Sequence, residues 1–378
     1  MAIKHLFIVC GEPSGELHAA GLARCIKELN PGIKISGVGG PLLADAGVSL
    51  FYDIKGLAVF GLFDALKKLP NFICLKKLIL KEIDVQNPDA IILVDFSGFN
   101  LRLAKTINKK IPVIYYVSPQ VWASRQGRIK TIRRYVSKMV VLFKFEKEFY
   151  RSRGIDAEFA GQPLLDSVRP SLSGKEFLSS INLNESRRTI ALLPGSRQQE
   201  VDKILPVMLK AGMLIKKRFP DIQYVIAKAP QLDWGIYRNK TKNIKLEFRI
   251  TEGKTYDCLN AADFALVCSG TATLEAAILA VPFATVYRMN WLSYLLYLPQ
   301  VKVPYISMAN IVAGKGIVRE FIQSKATPQR IAWETIALLE NTEKLKKLHD
   351  ELLGVIDLLG EKGAARRAAK ITLEFLEN

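Results

Sequence analysis

Short apolar runs recur along this chain, each bounded by Gly, Pro or Asp and each followed by a longer amphipathic stretch. Residues 5–10, 33–38, 90–94, 112–116, 138–143 and 158–160 are such runs. Runs of this length with these boundaries suit parallel strands buried on both faces. Their alternation with helical stretches predicts a doubly wound α/β domain. The pattern breaks over 166–187, which is polar, rich in Ser and Arg and interrupted by Pro170, as expected of a linker. It restarts with a strand at 189–193, a turn at Pro194-Gly195-Ser196-Arg197 and a helix to about Arg218, then strands at 224–227, 264–268 and 282–287. The expectation is two Rossmann-like α/β domains, residues 1–168 and 188–350, facing across a cleft. Ligands then bind beyond the carboxyl ends of the strands. Residues 331–378 have a helical period, and the last helix, about 360–378, is expected to return to the first domain.

Charge and cysteine usage narrow the function classes. The 378 residues carry 54 Lys+Arg against 36 Asp+Glu, a formal charge of +18. Such a charge points to phosphorylated substrates, an anionic membrane surface or nucleic acid. Nucleic acid is disfavoured because no zinc module or recognition motif accompanies the basic residues. Cysteines at 10, 25, 74, 258 and 268 form no C-x-x-C pair and read as reduced, mostly core thiols. Three separated histidines, at 5, 18 and 349, make a zinc site improbable. The first apolar run is too short for a signal peptide and reads as a strand. No run of about 18 apolar residues occurs, so no membrane-spanning helix is expected.

Four loops carry candidate chemistry. Gly11-Glu12-Pro13-Ser14-Gly15-Glu16 follows a strand and opens a helix, where glycine permits close approach and free N–H groups face a ligand. Glu12 and Glu16 suit sugar hydroxyls; the competing reading is a plain strand-to-helix turn. Asp95 ends the apolar run 90–94, and partial burial there would raise its pKa towards that of a general base. Its competing reading is a cap on the next helix. Ser196 and Arg197 offer backbone N–H groups and a guanidinium fork to a diphosphate. Ser269-Gly270-Thr271-Ala272-Thr273-Leu274-Glu275 turns from a strand into a helix, so hydroxyls and N–H groups can hold phosphate and Glu275 can accept from ribose hydroxyls. Position 309 is Ala and Gly316 replaces the Ser/Thr of a Walker A, and no G-x-S-x-G elbow exists.

Taken in order, GEPSGE (11–16), GVGGP (37–41), VDFSGFN (94–100), YYVSPQVWASRQGRI (115–129), FEKEFY (145–150), GQPLLD (161–166), LLPGSRQQEV (192–201), SGTATLEAA (269–277), YRMN (287–290) and PYISMANIVAGK (304–315) resemble the bacterial lipid-A-disaccharide synthases over nearly the whole chain. The resemblance implies a two-Rossmann-domain (GT-B) glycosyltransferase. It implies an inverting transfer from UDP-2,3-diacylglucosamine to 2,3-diacylglucosamine 1-phosphate, giving a β-1,6 disaccharide 1-phosphate and UDP. It implies no cofactor and no metal, in keeping with the missing Asp-x-Asp motif. By position, Asp95 matches the family's base, and Glu12, Ser14 and Gly15 its first cleft loop. Arg197, Ser269, Thr271, Thr273 and Glu275 match the nucleotide loops. Tyr287, Arg288 and Met289 are placed near uridine, and Asn310 near the diphosphate or sugar. Asp95, Glu12 and Arg197 form the expected catalytic set. Gly98 stands where many members carry a second Asp, and Glu12-Pro13 replaces a more usual Glu-Ala. Monomer or homodimer stays open.

Residues 58–83 pair an apolar set (Phe60, Leu62, Phe63, Leu66, Leu69, Phe72, Ile73, Leu78, Ile79) with Lys67, Lys68, Lys76, Lys77 and Lys81. That is the pattern of an interfacial segment, apolar side in acyl chains and lysines at phosphates. An ordinary surface helix is the competing reading, and Pro70 suggests two short helices. Residues 125–153 carry ten Lys/Arg against two Glu and suit anionic headgroups or the acceptor phosphate. Residues 291–298 are short and aromatic-rich. The expected location is cytoplasmic, peripheral on the inner face of the inner membrane. The rival readings are another sugar-nucleotide enzyme on the same fold, such as a UDP-N-acetylglucosamine 2-epimerase, and a basic nucleic-acid-binding protein.

Overall fold

The computed structural model describes residues 4–54 and 69–377. Of the proposed interfacial residues, Phe60, Leu62, Phe63, Leu66, Lys67 and Lys68 lie outside the described residues. The chain divides into two compact units, residues 1–163 with 361–378, and residues 164–360.

The first unit is built on strands β1 (His5–Val9), β2 (Lys34–Gly39), β3 (Ser49–Asp53), β4 (Ala90–Val94), β5 (Val113–Tyr116), β6 (Lys138–Val141) and β7 (Ala157–Phe159). They form one parallel sheet in the order β3-β2-β1-β4-β5-β6-β7. Every residue of β1, β4 and β5 is buried, which is why these strands read as uninterrupted apolar runs. The C-terminal helix, Ala364–Glu377, belongs to this unit and packs on the helix Pro13–Leu29. Arg366 pairs with Glu28 at 3.5 Å, and the Arg367 Nε–H donates to the Ala160 carbonyl at 2.7 Å.

The second unit holds β8 (Thr189–Leu193), β9 (Gln223–Lys228), β10 (Phe248–Glu252), β11 (Phe264–Cys268), β12 (Phe283–Tyr287) and β13 (Glu320–Ile322), in the order β10-β9-β8-β11-β12-β13. The helix Gln198–Arg218 buries Val201, Ile204, Leu205, Met208 and Ile215 against this sheet and the helix Pro328–Leu339. The stretch 166–187 is more ordered than its polarity suggested. Ser173 caps the helix Gly174–Ser180, Phe177 and Leu178 are buried, and the Ser171 and Leu172 N–H groups donate to Asp257.

Both sheets share one topology. The chain starts in the middle, walks to one edge, then crosses back and fills the other side. The reversal falls between β1 and β4 in the first sheet and between β8 and β11 in the second. Adjacent connections there leave in opposite directions and open a crevice at the carboxyl ends of the strands. Among the described residues, no helix is long and apolar enough to cross a membrane. None of the five cysteines is in a disulfide, and Cys74 is exposed rather than core.

Candidate active site

At the first crevice, β1 runs into Gly11–Glu16 and β4 into Asp95. Asp95 and Phe96 both adopt left-handed backbone, with φ of 47° and 45°. Two consecutive non-glycine residues there cost of order 1–3 kcal/mol each. The turn is held by its surroundings. The Asn100 Nδ2–H₂ donates to the Val94 and Asp95 carbonyls at 3.2 and 2.9 Å, and the Tyr115 hydroxyl donates to the Asp95 carbonyl at 2.6 Å. Phe96, not Asp95, is the N-cap of the helix Ser97–Ile107, so the capping reading of Asp95 does not hold.

The strained turn leaves the Asp95 side chain half-buried against the first turn of the helix Pro13–Leu29. A Cβ at Gly15 would stand 3.3 Å from that of Asp95, so a glycine is what allows helix and carboxylate to approach. Burial, and next the charge of Glu12, push the Asp95 carboxyl up to about 6. That is the range in which a carboxylate is both ionised near neutrality and basic enough to accept a proton. Glu12 is exposed at the N-cap of its helix and Ser14 is exposed beside it. Glu16 has a different job from the sugar contact expected of it. It is buried, and its carboxylate accepts from the Leu42 N–H at 2.7 Å, capping the helix Pro41–Asp45. His18, two turns into the helix, is pushed down to about 4 by burial and so stays neutral near pH 7.

At the second crevice, Gly195 has φ +114° and the turn wraps the Glu200 carboxylate. The Ser196 and Arg197 N–H groups donate to Glu200 Oε2 at 3.1 and 3.2 Å. The helix therefore fills its own N-terminal anion position, and the backbone donors expected to take a diphosphate are already engaged. The Arg197 guanidinium is exposed and only loosely tied to Glu200 at 3.3 Å, so it can still turn to a ligand.

The loop after β11 behaves similarly. The Ser269 hydroxyl donates to the Ile306 carbonyl at 2.9 Å. The buried Thr273 hydroxyl donates to the Gly270 carbonyl at 2.7 Å and accepts from the Met308 N–H at 3.0 Å. Both hydroxyls thus pin the 306–308 backbone to this crevice. Gly270, with φ +143°, faces open space, and Thr271 is exposed at the start of the helix Thr271–Ile278. Glu275 is raised by burial and accepts from the Tyr256 hydroxyl at 3.2 Å, which leaves acceptor capacity on the carboxylate.

Asn310 is wholly committed to its own loop. Its amide donates to the Val318 carbonyl and to Glu320, both at 2.9 Å, and its carbonyl accepts from the Ile317 and Val318 N–H groups at 2.8 and 2.9 Å. Replacing it with Ala leaves buried backbone groups unpaired and should lower stability by about 2–4 kcal/mol. A thermal melt checks this; an Ala variant with wild-type stability but lost activity would instead make Asn310 a ligand contact.

Beyond β12, Arg288 and Met289 line a cavity of about 460 Å³ with Lys203, Lys210, Trp291 and Gln323. Gln323 is buried and grips the Met289 backbone, accepting from its N–H at 2.8 Å. Tyr287 is half-buried and raised by burial, with Cys268 and Glu200 close by. Lys203, Lys210 and Gln323 carried no sequence motif; only the fold brings them to Arg288.

Of the interfacial segment, the described part is one helix, Leu69–Gln86, with Pro70 accommodated in its first turn. Leu75, Ile79 and Ile83 are buried, whereas Ile73 and Leu78 are exposed with Lys77, and Lys76 is half-buried. Phe72 lies 5.7 and 6.1 Å from the Phe96 and Phe99 rings, so its aromatic cluster adjoins the Asp95 turn. The short helix Trp291–Tyr297 exposes Trp291, Leu292, Leu295 and Leu296.

The comparisons with known proteins agree with this arrangement. A family model described as lipid-A-disaccharide synthetase matches residues 6–375. A lipid-A-disaccharide synthase from Syntrophus aciditrophicus is 42% identical, covering 100% of this chain and 99% of that one. Among solved structures, the UDP-GlcNAc 2-epimerase of Neisseria meningitidis bound to UDP-GlcNAc superposes with a TM-score of 0.61 at 13% identity, covering 100% of both chains. MurG from Acinetobacter baumannii does so at 0.56 and 16%, covering 98% of this chain and 99% of that one. At such identities the structural likeness establishes the GT-B-type fold, while the full-length match separates this chain from the epimerases: it belongs to the lipid-A-disaccharide synthase family.

Proposed function

We propose that this protein is an inverting, metal-independent glycosyltransferase that joins UDP-2,3-diacylglucosamine to 2,3-diacylglucosamine 1-phosphate. The observation that carries the reading is Asp95, a half-buried carboxyl raised to about 6 on a strained turn at the first crevice. Asp95 takes the proton from the acceptor 6-hydroxyl as that oxygen attacks the donor's anomeric carbon. The bond from that carbon to the diphosphate oxygen breaks, inverting the centre and releasing UDP. Arg197 offsets the charge that develops on the leaving diphosphate. Glu275 takes the ribose hydroxyls, and the cavity beside Arg288 and Met289 takes the uracil. Gly98 replaces a possible second carboxylate, so a single base serves.

UDP release tests this reading against the epimerase alternative. Release should require the acylated donor and the acceptor together. Conversion of UDP-N-acetylglucosamine to its 2-epimer would contradict it.

The membrane reading rests on the Leu69–Gln86 helix, with apolar Ile73 and Leu78 exposed beside Lys77. A protein taking acylated substrates from the cytoplasmic face of the inner membrane needs such a surface. Changing Lys67, Lys68, Lys76 and Lys77 to Ser should weaken binding to anionic vesicles at low salt by roughly 1 kcal/mol per charge. Co-sedimentation unchanged by all four substitutions would assign the lysines to an ordinary solvated face.

A further inference from the structure

Beside the Asp95 turn, on the side of the helix Ser97–Ile107, lies a group of arginines that the mechanism above does not use. Arg128 is half-buried and its Nη1–H donates to the Ser97 hydroxyl at 3.0 Å. Ser97 opens the helix Ser97–Ile107, two residues beyond Asp95. This helix packs on Ile129–Tyr135, which follows Arg128 directly, and so brings Arg102 towards Arg128. Arg125, in left-handed backbone with φ 54°, supplies a third guanidinium at the same place. Arg128 is lowered by burial and next by the charges of Arg125 and Arg102, so the three cations repel one another. Among the described residues, neither Arg102 nor Arg128 has a carboxylate within 4.0 Å.

Guanidiniums gathered around a half-buried member without a counter-carboxylate are unfavourable on their own and become favourable when a multivalent anion enters. A phosphomonoester, with its double charge and three acceptor oxygens, matches the donors present: the Arg128 and Arg102 guanidiniums with Arg125 beside them, the Ser97 hydroxyl and the Ser97 and Gly98 N–H groups that open the helix. Position decides which phosphate. The acceptor carries its reacting hydroxyl on C6 and its phosphate on C1 of the same ring. A sugar with its 6-hydroxyl at Asp95 has its phosphate across the same ring, and Arg128 is bonded to Ser97, two residues beyond Asp95, so the cluster adjoins the turn that would hold that hydroxyl. The Phe72, Phe96 and Phe99 rings adjoin the same turn and offer apolar contact to acyl chains.

We propose that Arg128, with Arg102, Arg125 and Ser97, forms the binding site for the acceptor's 1-phosphate and makes the enzyme selective for a phosphorylated acceptor. The proposal rests on the transferase reading for the identity of its ligand. The test compares the acceptor with and without its phosphate. Arg128→Ala should raise the KM for the phosphorylated acceptor by about 10–100-fold, the worth of one or two charge-assisted hydrogen bonds. Its KM for the donor and its rate with the dephosphorylated acceptor should match wild type. Arg102→Ala, at an exposed position, should act in the same direction and serves if Arg128→Ala fails to fold. Equal loss with both acceptors would overturn the proposal. So would a loss confined to anionic vesicle binding, which would assign the cluster to lipid headgroups. Phosphorus NMR titration with the monosaccharide 1-phosphate separates this from the parent reading. If no disaccharide forms but wild type binds the sugar phosphate and Arg128→Ala does not, the anion site stands and the transferase reading falls. If neither protein binds it, the site falls.

Discussion

Asp95→Asn should cut turnover by about 10²–10⁴-fold, the usual share of general base catalysis, while UDP-sugar binding stays nearly intact. The amide keeps the shape of the side chain but cannot take a proton. With the Asp95 carboxyl near 6, wild-type kcat/KM should fall as the pH drops through about 6, since the protonated acid is no longer a base. Glu12→Gln removes the second cause of the raised value and should move that limb to lower pH. Stability follows by linkage. The folded value lies above the unfolded one, so Asp95 reduces stability as pH rises from about 4 to 6 and holds that cost above 6. Asp95→Asn should therefore be more stable than wild type at pH 8, by up to about 3 kcal/mol, and gain little at pH 4. A gain of that sign is the mark of a carboxylate kept for chemistry rather than for the fold. Turnover within tenfold of wild type would take the role of base away from Asp95.

Arg197→Ala should lower kcat by about 10²–10³-fold, the loss seen when one preorganised charge stabiliser is removed from a transition state. Its guanidinium is the exposed cation of a turn whose Ser196 and Arg197 N–H groups are occupied by Glu200, so those donors do not compensate. The side chain is exposed and its pairing with Glu200 is loose, so the melting temperature should hardly change. A rise in donor KM with kcat unchanged would mean that Arg197 binds the ground-state diphosphate and the leaving charge alike.

The interior of each sheet was legible because strands buried on both faces leave unbroken apolar runs, as in β1, β4, β8 and β11. Three of the four sheet edges were not, β7 being the one that was. β3, β10 and β13 are edge strands with burial broken by exposed or half-exposed positions, so Ser49–Asp53, Phe248–Glu252 and Glu320–Ile322 carry no such run. At the crevices, residue position was readable and hydrogen-bond assignment was not. Glycine-rich turns after apolar strands announce where a ligand can approach. They do not reveal that Glu16 and Glu200 cap helices, or that Ser269, Thr273 and Asn310 spend their polar atoms on the backbone. For Glu16, Ser269 and Thr273 the partners come from segments distant in sequence, such as Ile306–Met308, whereas Glu200 and Asn310 turn back on their own loops. Arg128 was visible only as one charge in a basic stretch, because its value depends on Arg102, which reaches it through helix packing.

The most direct measurement is the product itself. Purified protein is mixed with UDP-2,3-diacylglucosamine and 2,3-diacylglucosamine 1-phosphate in EDTA, and the products are read by mass spectrometry. A tetraacylated disaccharide 1-phosphate together with UDP is the predicted result. Unchanged substrates both in EDTA and in added Mg²⁺, from protein that is folded and binds the donor, would contradict the account.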